Sequence, residues 1–314
     1  MDAVLLVAFG GPTAMEEVRP FLANVLRGRP IPPERVEEVV RHYEEIGGRS
    51  PLNELTFRQA AALRDELRRE GPELPVYVGM RNWHPYLKET LAQIRDDGHS
   101  QVIALILSPQ RNEAGWERYE QNVREALEEI GSGAPRVEIL PTWYAHPLFV
   151  EAVADRVQVA LDMLSAEQRT GAELVFTAHS IPTKMADASG YVGQIDTAAR
   201  AVAERIGYGS YRIAYQSRSG NPREPWLEPD IGDFIRARAA AGTLRLVVMP
   251  IGFVCDHVEV LYDLDVAAKR VAAEEGIDLV RVQTVNDHPA FIRMMASLIR
   301  DHLRSDDTGT RTST

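Results

Sequence analysis

The chain has 314 residues, of which 45% are hydrophobic, and its formal net charge is −11 at pH 7. This length suits two domains of ordinary size, and the acidic balance argues against nucleic acid or an anionic membrane as the main partner. The single cysteine, Cys255, excludes internal disulfides, CxxC zinc sites and cysteine-ligated iron–sulfur clusters, and it predicts a reducing, cytoplasmic location.

Strands and helices are predicted to alternate along the chain. Apolar runs predict four strands in the first half, near 3–9, 75–80, 102–107 and 136–140, and four in the second, near 173–178, 211–216, 244–249 and 279–283. Amphipathic helices are predicted between them, for example over Phe57–Gly71, with a last helix from Pro289 to about Leu303. Such alternation builds parallel sheets with helices on both faces, so the sequence predicts an α/β fold.

The two ends of the chain carry no sign of a membrane segment. No apolar run approaches the roughly 18 residues that a membrane span needs. The start, Asp2–Pro12, lacks a basic region and breaks at Gly10 and Gly11, which indicates a first strand rather than a signal peptide. The polar residues 305–314 are expected to form a disordered tail.

The two halves of the sequence repeat one another. Asp2–Pro12 aligns without a gap to Ala172–Pro182, so that Phe9 corresponds to His179. Three further matches follow in the same order: Val76–Trp83 with Tyr211–Arg218, Val102–Gln110 with Leu244–Gly252, and Thr142–Phe149 with Thr284–Phe291. Four ordered matches indicate a duplication.

The first half differs from the second by one insertion. Between the first two strands the first half has residues 13–75, whereas the second half has only 183–210. The longer piece makes a basic and aromatic region in an acidic protein; it contains Arg27, Arg29, Tyr43, Arg49 and Ser50. This composition suits a lip over a flat, acidic ligand. An ordinary helical insertion with solvated arginines is the alternative.

Chemically capable side chains follow two of the predicted strands. The run Leu244–Met249 leads directly into Pro250–Asp265, and within it lie Asp256, His257, Glu259 and Asp263, three acids and an imidazole. Another strand, within Ala172–Pro182, delivers His179. Ligands bind at the carboxyl ends of strands in open α/β sheets, and clustered acids are costly there unless something positive uses them. A helix N-terminus that favours acids is the structural alternative.

From Val4 to about Leu303 the chain resembles the ferrochelatases, enzymes that insert ferrous iron into a porphyrin. The motifs that carry the resemblance are IGGRSPLN (46–53), MRNWHP (80–85), FTAHSIP (176–182), YQSRSGNPREPWLEPD (215–230), PIGFVCDHVEVLYDLD (250–265) and NDHPAFI (286–292). The resemblance implies two duplicated Rossmann-like domains, each with a four-stranded parallel sheet, and a cleft between them for the macrocycle. We expect residues 1–140 with helix 289–304 to form the first domain and 141–288 the second.

The resemblance also implies roles for individual residues. In the family, the positions of His179 and Glu259 form the metal-binding and catalytic pair. The position of Phe9 is a metal-ligating Tyr in some members; Phe9 cannot ligate, so the metal is expected from the His179–Glu259 side. The positions that contact the porphyrin or its propionates are those of His42, Tyr43, Ser50 and Tyr119, together with arginines near Arg27.

The residues themselves suit metal insertion. A neutral imidazole at His179 can accept pyrrole protons, since its reference pKa is near 6.5. Glu259 can bind Fe²⁺, and an imidazole with a carboxylate suits that ion. Asp263 lies four positions beyond Glu259 and shares its face if the segment is helical, as an outer, weaker metal contact. His257 should point elsewhere. Iron is then a substrate, and no tightly bound cofactor or iron–sulfur cluster is expected.

The sequence departs from the family in the loop after Pro109. That loop is rich in hydroxyl side chains in many members but has the sequence QRNEAGWERY here, which leaves Arg111, Asn112 and Tyr119 as replacement contacts. Some members also carry a C-terminal iron–sulfur cluster, which a lone Cys255 excludes.

Two other functions and two porphyrins remain open at this stage. The alternatives are a two-lobed tetrapyrrole or metal carrier without chemistry, and a chelatase for another divalent metal. Coproporphyrin III is favoured over protoporphyrin IX, because the motifs look most like the Gram-positive branch and no membrane anchor is present. Porphyrin and ferrous iron are the expected partners, with neighbouring haem-pathway enzymes as further candidates, and a monomer is the default.

Overall fold

A computed structural model describes residues 1–27, 32–219 and 223–307. It contains two four-stranded sheets, one in each half of the chain, and all neighbouring strands are parallel. The first sheet has the order β2-β1-β3-β4 and the second β6-β5-β7-β8. The strands are β1 (Ala3–Ala8), β2 (Val76–Met80), β3 (Gln101–Ile106), β4 (Arg136–Ile139), β5 (Ala172–His179), β6 (Tyr211–Gln216), β7 (Arg245–Met249) and β8 (Asp278–Arg281). All eight predicted strands are confirmed.

Helices connect the strands and cover both faces of each sheet. In the first half they are α1 (Met15–Val25), α2 (Pro33–Glu45), α3 (Leu52–Glu70), α4 (Leu87–Asp96), a π-helical segment at Glu113–Glu117, α5 (Arg118–Ile130) and α6 (Pro147–Asp162). In the second half they are α7 (Ala166–Thr170), α8 (Thr183–Ser189), α9 (Tyr191–Arg205), α10 (Ile231–Ala240), α11 (Val258–Val260), a π-helical segment at Leu261–Ala268, α12 (Lys269–Glu274) and α13 (Pro289–Asp307). The predicted α/β class is therefore correct.

The two sheets repeat the same strand register. Val4 pairs with Val76 in the first sheet, and Leu174, its counterpart in the repeat, pairs with Tyr211 in the second. The proposed match of Val102 with Leu244 is wrong by two residues, because Ala3 pairs with Val102 whereas its counterpart Glu173 pairs with Leu246. Strands buried on both faces are apolar throughout, so their sequences contain little information about register.

The two matched histidines also have matching roles. The Nδ1 atom of His146 accepts a hydrogen bond from the backbone N–H of Leu148 at 3.2 Å, at the start of α6. His288 does the same for Ala290 at 3.2 Å, at the start of α13. Both histidines are N-caps that satisfy otherwise unpaired helix N–H groups, which explains their repetition without any role in chemistry.

The halves are joined by helices that lie between them. α6 follows the first sheet but packs on α9 and β7 of the second half, and α13 follows the second sheet but packs on α3 of the first and on α6. Trp143, Phe149 and Phe291 meet there, with the Trp143 ring centroid 5.1 Å and 5.5 Å from the two phenyl rings. A single apolar core includes residues of both sheets.

The end of the chain is helical for longer than expected. α13 continues to Asp307, and the Ser305 hydroxyl donates to the backbone oxygen of Asp301 at 2.9 Å, so 305–307 do not belong to a disordered tail. Residues 308–314 of the predicted tail lie outside the described residues. In the part of the chain that the structure describes, no helix is long and apolar enough to cross a membrane. The expected domain boundaries stay predictions.

The insertion at 13–75 forms α1, α2 and α3. α1 and α2 bury a small apolar cluster of their own, with Phe9, Trp83 and Val258 packed against it. α2 also reaches the second half, because Glu45 forms an ion pair with Arg270 at 3.3 Å. The insertion therefore covers one end of the cleft between the two sheets.

Candidate active site

His179 is the last residue of β5, which lies between β6 and β7 in the second sheet. Its Nδ1 atom lies within hydrogen-bond distance of the Ser180 carbonyl. A carbonyl can only accept, so Nδ1 carries the hydrogen and Nε2 is the free ring nitrogen. Nε2 lies 3.5 Å from Oε1 of Glu259, and the two side chains are 28% and 39% exposed. The pair thus presents one basic nitrogen and one carboxylate to the cleft.

Glu259 is held by a short, unusual helical turn. His257 is the N-cap of α11, and its Nδ1 accepts from the backbone N–H of Glu259 at 3.1 Å. The π-helical segment Leu261–Ala268 follows immediately. The Nδ1 atom of His257 is thus occupied by the backbone, in line with the expectation that this side chain points elsewhere. π-Helical segments are rare and are frequently found at functional sites.

The two members of the pair shift each other's pKa. Burial disfavours the charged imidazole, but the carboxylate of Glu259 outweighs it and raises the pKa of His179 above its ordinary value. Burial also opposes ionisation of Glu259, yet His179 and His257 hold its pKa at about 2. Glu259 is consequently an anion at neutral pH, and it strengthens the affinity of the imidazole for a proton.

Asp263 lies further along the same segment and behaves differently. Burial, reinforced by the charge of Glu259, raises the pKa of Asp263 to about 7, against a lowering hydrogen bond from the Ser217 hydroxyl. The charge of Asp230 adds to the rise. Asp263 can therefore gain or lose a proton near neutrality.

Three residues that the sequence did not single out hold this pair. The Gln216 side-chain amide donates to the backbone oxygen of Glu259, and Ser217, with a left-handed φ of 63°, bonds Asp263. The Tyr191 hydroxyl donates to the backbone oxygen of His179 at 3.3 Å. Only the motif YQSRSG pointed at this region, and it does not show which atoms are bonded.

Asp256 does not belong to the reactive group. Arg281 donates to its carboxylate at 2.9 Å, and Asn286 adds a bond at 3.1 Å. Arg281 also pairs with Asp265 at 2.7 Å, and its side chain is only 11% exposed. The positive group that the buried carboxylate of Asp256 requires is therefore Arg281.

The opposite wall of the cleft carries Phe9, Arg81 and Tyr119. The Arg81 guanidinium carbon lies 5.8 Å from the ring centroid of each aromatic residue, a distance typical of cation–π contacts. Tyr119 is 7% exposed, and burial raises the pKa of its phenol, with Glu259 adding to the rise and Arg81 opposing it. The charge of Glu259 thus reaches Tyr119 across the cleft.

The predicted porphyrin contacts occupy different environments in the lip. Tyr43 is buried at 2% exposure, and burial with the charge of Glu259 raises its pKa. His42 stacks on Tyr262 of the π-helical segment, with ring centroids 3.6 Å apart, and burial lowers its pKa. Arg27 is exposed and bonds Asn24 at 3.3 Å. Arg29 lies outside the described residues.

The remaining predicted contacts have local partners. The backbone N–H of Ser50 donates to the Pro12 carbonyl at 2.9 Å, and its hydroxyl accepts from Leu52 at 3.3 Å. Asn112 caps the first π-helical segment, and Arg111 pairs with Glu117 at 2.7 Å. Among the residues that the structure describes, no three His, Cys, Asp or Glu side chains are grouped closely enough to hold a metal ion.

The chain is similar to known proteins over nearly its whole length. The ferrochelatase family model matches residues 1–303. A ferrochelatase of Rhodopirellula baltica is 43% identical over 304 residues, which cover 96% of this chain and 86% of that protein. The coproporphyrin III ferrochelatase of Mycolicibacterium smegmatis is 44% identical over 305 residues, with 96% and 90% covered. That of Nocardia farcinica is 42% identical over 311 residues, with 96% and 88% covered.

Solved chelatase structures share the fold at low sequence identity. SirB from Bacillus subtilis with Fe³⁺ superposes with a TM-score of 0.62 at 9% identity, covering 98% of both chains. CbiX, described as the terminal enzyme of sirohaem biosynthesis in denitrifying bacteria, superposes with a TM-score of 0.53 at 15% identity, covering 95% of this chain and 98% of that one. These likenesses support the two-domain chelatase architecture. With the family model matched over 303 residues, the chain belongs to the ferrochelatase family.

Proposed function

We propose that this protein inserts Fe²⁺ into coproporphyrin III, with His179 as proton acceptor and Glu259 as the metal-binding carboxylate. The observation that carries the proposal is the pair itself, in which an imidazole nitrogen and an anionic carboxylate lie 3.5 Å apart at the carboxyl end of an internal strand. Strand ends of this kind are where α/β sheets bind their ligands.

His179 accepts the pyrrole protons through Nε2. Its Nδ1–H points at the Ser180 carbonyl, an arrangement that stabilises the imidazolium once the proton has arrived. Without metal, Glu259 keeps the proton affinity of His179 high. A divalent cation on Glu259 would offset that negative charge and so favour the neutral imidazole that the reaction needs.

Asp263 supports the exchange of iron and protons with solvent. It can ionise near neutrality, and it lies on the π-helical segment that directly follows the turn carrying Glu259. Asp230, whose charge acts on Asp263, lines a cavity beside Ser180 together with Glu228 and Asp233. We assign to this acidic side the approach of hydrated Fe²⁺, and an imidazole with a carboxylate suits that ion better than Mg²⁺ or Ca²⁺.

The first half provides an apolar wall for the macrocycle. Phe9 offers no ligating atom, so iron has no protein ligand there and meets the porphyrin from the side of His179. Phe9 and Trp83 both contact Phe21, with ring centroids 6.2 Å apart in each case, which makes the wall stiff. A stiff wall can hold a macrocycle in a bent shape.

Different observations support the proposed porphyrin and the proposal that no cofactor is tightly bound. Relatives at 42–44% identity over nearly the whole chain are named coproporphyrin III ferrochelatases. Exposed Arg27 and Arg49 lie in the insertion, where they suit a substrate with four propionates rather than two. The sequence has one cysteine, Cys255, which is buried, so we propose no iron–sulfur cluster and no tightly bound cofactor.

Anaerobic insertion assays test the proposal. Purified protein is mixed with Fe²⁺ and either coproporphyrin III or protoporphyrin IX, and metallation is followed by absorbance, with Glu259→Gln as the inactive control. We expect kcat/KM to be higher for coproporphyrin III. Metallation of protoporphyrin IX alone, or of neither porphyrin, would overturn the proposal.

A further inference from the structure

Gln216 lies beside both members of the reactive pair. It is the last residue of β6, and in the parallel ladder it is the partner of His179. Its backbone oxygen accepts from the Ser180 N–H at 2.7 Å, and its side-chain amide donates to the backbone oxygen of Glu259. One residue therefore connects the strand end that carries the imidazole to the turn that carries the carboxylate.

The other half of this amide has no partner. Gln216 has 0% exposure, and its Oε1 is buried without a hydrogen bond in the structure. The amide cannot be reversed to improve this, because the Glu259 carbonyl accepts and so requires the NH₂ group. A buried acceptor without a partner lowers stability, because its hydrogen bonds to water are lost on folding and not replaced. For stability alone, an apolar side chain of the same length would serve better at this position.

Position 216 carries a different side chain from the equivalent position in the first half of the repeat. The counterpart of Gln216 is Arg81, which follows β2 as Gln216 ends β6, and Arg81 lies 5.8 Å from the ring of Phe9, the counterpart of His179. In both halves this position directs a polar group at the end of the neighbouring strand. A cation at 216 would compete with His179 for Glu259, whereas a neutral amide bonds the backbone and leaves the carboxylate free.

We propose that Gln216 is a positioning residue that sets the separation of His179 and Glu259, an inference that rests on the proposed insertion reaction. The turn that carries Glu259 is only three residues long and leads into a π-helical segment, so its own hydrogen bonds hold it weakly. The Gln216 bond ties this turn to the ladder that fixes His179. Misplacing a reacting group by about 1 Å can lower turnover by roughly 10²-fold.

Gln216→Met and Gln216→Glu test the inference against the wild-type protein. Met has the same length and no hydrogen bond, and it removes the buried unpaired oxygen. We expect it to lower kcat by about 10- to 100-fold, to leave the porphyrin KM unchanged and to keep or raise the melting temperature. Glu turns the donor into an acceptor facing the Glu259 carbonyl, and we expect it to lower kcat further than Met does and to lower the melting temperature as well.

A matched control and a structural readout separate the possible outcomes. Thr177 is fully buried on β5 with an unpaired hydroxyl, so Thr177→Val should leave kcat unchanged while it keeps or raises stability. A crystal structure of Gln216→Met should show His179 Nε2 and Glu259 Oε1 further apart than 3.5 Å. This distance does not depend on activity: if the wild type inserts no metal, the proposed reaction fails while the distance still tests Gln216.

Three results would overturn the positioning role. They are wild-type kcat in Gln216→Met, a parallel loss of kcat and melting temperature in that variant, and an unchanged His179–Glu259 separation in its crystal structure.

Discussion

Three acids within eight residues have three different fates in this protein. Arg281 neutralises Asp256, and His179 and His257 keep Glu259 anionic. Burial raises the pKa of Asp263 to about 7. The residue type is almost the same in each case, so the partners decide the chemistry. At the residue scale, the site works because only Glu259 combines a full charge with access to the cleft.

His179→Ala should abolish insertion while porphyrin still binds within about tenfold of wild type. Loss of a general base typically costs ~10²–10⁴ in rate, and the ring is only a small part of the cleft wall. Steady-state insertion and fluorescence quenching measure the two effects. Turnover within about threefold of wild type would exclude His179 as the base.

Glu259→Gln and Asp263→Asn should separate the role of Glu259, which lies beside His179, from that of Asp263, which we expect to be an outer, weaker metal contact. The first should lower turnover at saturating porphyrin and remove most of the response to metal, because it removes the anion beside His179. The second should mainly raise the apparent metal KM. A larger turnover loss in Asp263→Asn than in Glu259→Gln would mean that the two roles are reversed.

The pH dependence of metal binding in Asp263→Asn, compared with the wild type, gives a further test. The pKa of Asp263 is raised to about 7, so its carboxyl is neutral below that pH and charged above it. The apparent KM for Zn²⁺, used in place of the oxidisable Fe²⁺, should therefore fall as pH rises through about 7 in the wild type. Asp263→Asn should flatten this fall, and an identical pH dependence in both proteins would contradict the assignment.

At the scale of elements, both halves place a π-helical segment after their third strand. Glu113–Glu117 follows β3 and Leu261–Ala268 follows β7. The second segment is held from three directions: Ser217 bonds Asp263, Arg281 bonds Asp265, and His42 of the insertion stacks on Tyr262. A wide helical turn persists where tertiary contacts compensate for its poorer backbone packing.

Asp265→Asn should destabilise the protein near neutral pH by about 1–3 kcal/mol. Burial opposes ionisation of Asp265, but Arg281 and Lys269 hold its pKa below 3.8. A carboxyl with a depressed pKa stabilises the fold above its unfolded pKa, and this contribution is lost as pH falls through the folded pKa. Urea unfolding should therefore show a gap between variant and wild type that narrows below about pH 4.

Asp233→Asn is the matched control for this measurement. Asp233 pairs with Arg236 at 3.1 Å on the surface, with the two side chains 76% and 52% exposed, and such pairs contribute little. A gap between Asp265→Asn and wild type that stays constant with pH would mean that its charge does not stabilise the segment.

The lip should act through charge on the propionates. Arg27→Ala should weaken coproporphyrin III binding by about tenfold, the equivalent of one charge-assisted contact, and protoporphyrin IX binding by less. Salt should weaken wild-type binding more than variant binding. Fluorescence titration at low and high ionic strength measures this, with the exposed Arg64→Ala in α3 as a control.

Tyr119→Phe belongs to the same titration. Tyr119 is 7% exposed, so the variant tests whether its hydroxyl reaches a propionate, and Tyr211→Phe, whose hydroxyl bonds Asp196 at 2.8 Å, is the control. Equal losses of affinity for both porphyrins, without any effect of salt, would mean that the lip is ordinary solvated surface.

At the scale of the whole molecule, the halves share a core. α6 packs on α9 and β7 of the second half, α13 packs on α3 of the first half, and one apolar cluster includes strands of both sheets. Gln59 of α3 also bonds the backbone oxygen of Asn286 at 2.8 Å, and Arg58 pairs with Asp287 at 2.5 Å. Burial shared in this way couples the two sheets, so the cleft lies between walls that unfold together.

Phe291→Ala should therefore destabilise both halves in a single transition. Phe291 of α13 is fully buried against Trp143, and such truncations cost about 3–5 kcal/mol. Calorimetry should show one peak that moves to lower temperature. Phe57→Ala, which changes a 48% exposed side chain in α3, should move it little. Two separated peaks in either variant would show that the halves are independent.

The eight strands and the duplication could be predicted from the sequence, because apolar runs are local properties of the chain. The pairing of His179 with Glu259 came from the resemblance to the ferrochelatases, and the folded arrangement then showed which acids stay reactive and which residues hold them. Asp256 meets Arg281 across 25 positions, and Gln216 meets Glu259 across 43. Contacts so far apart in sequence have no local pattern, since they depend on how two strand ends and one wide helical turn come together in space.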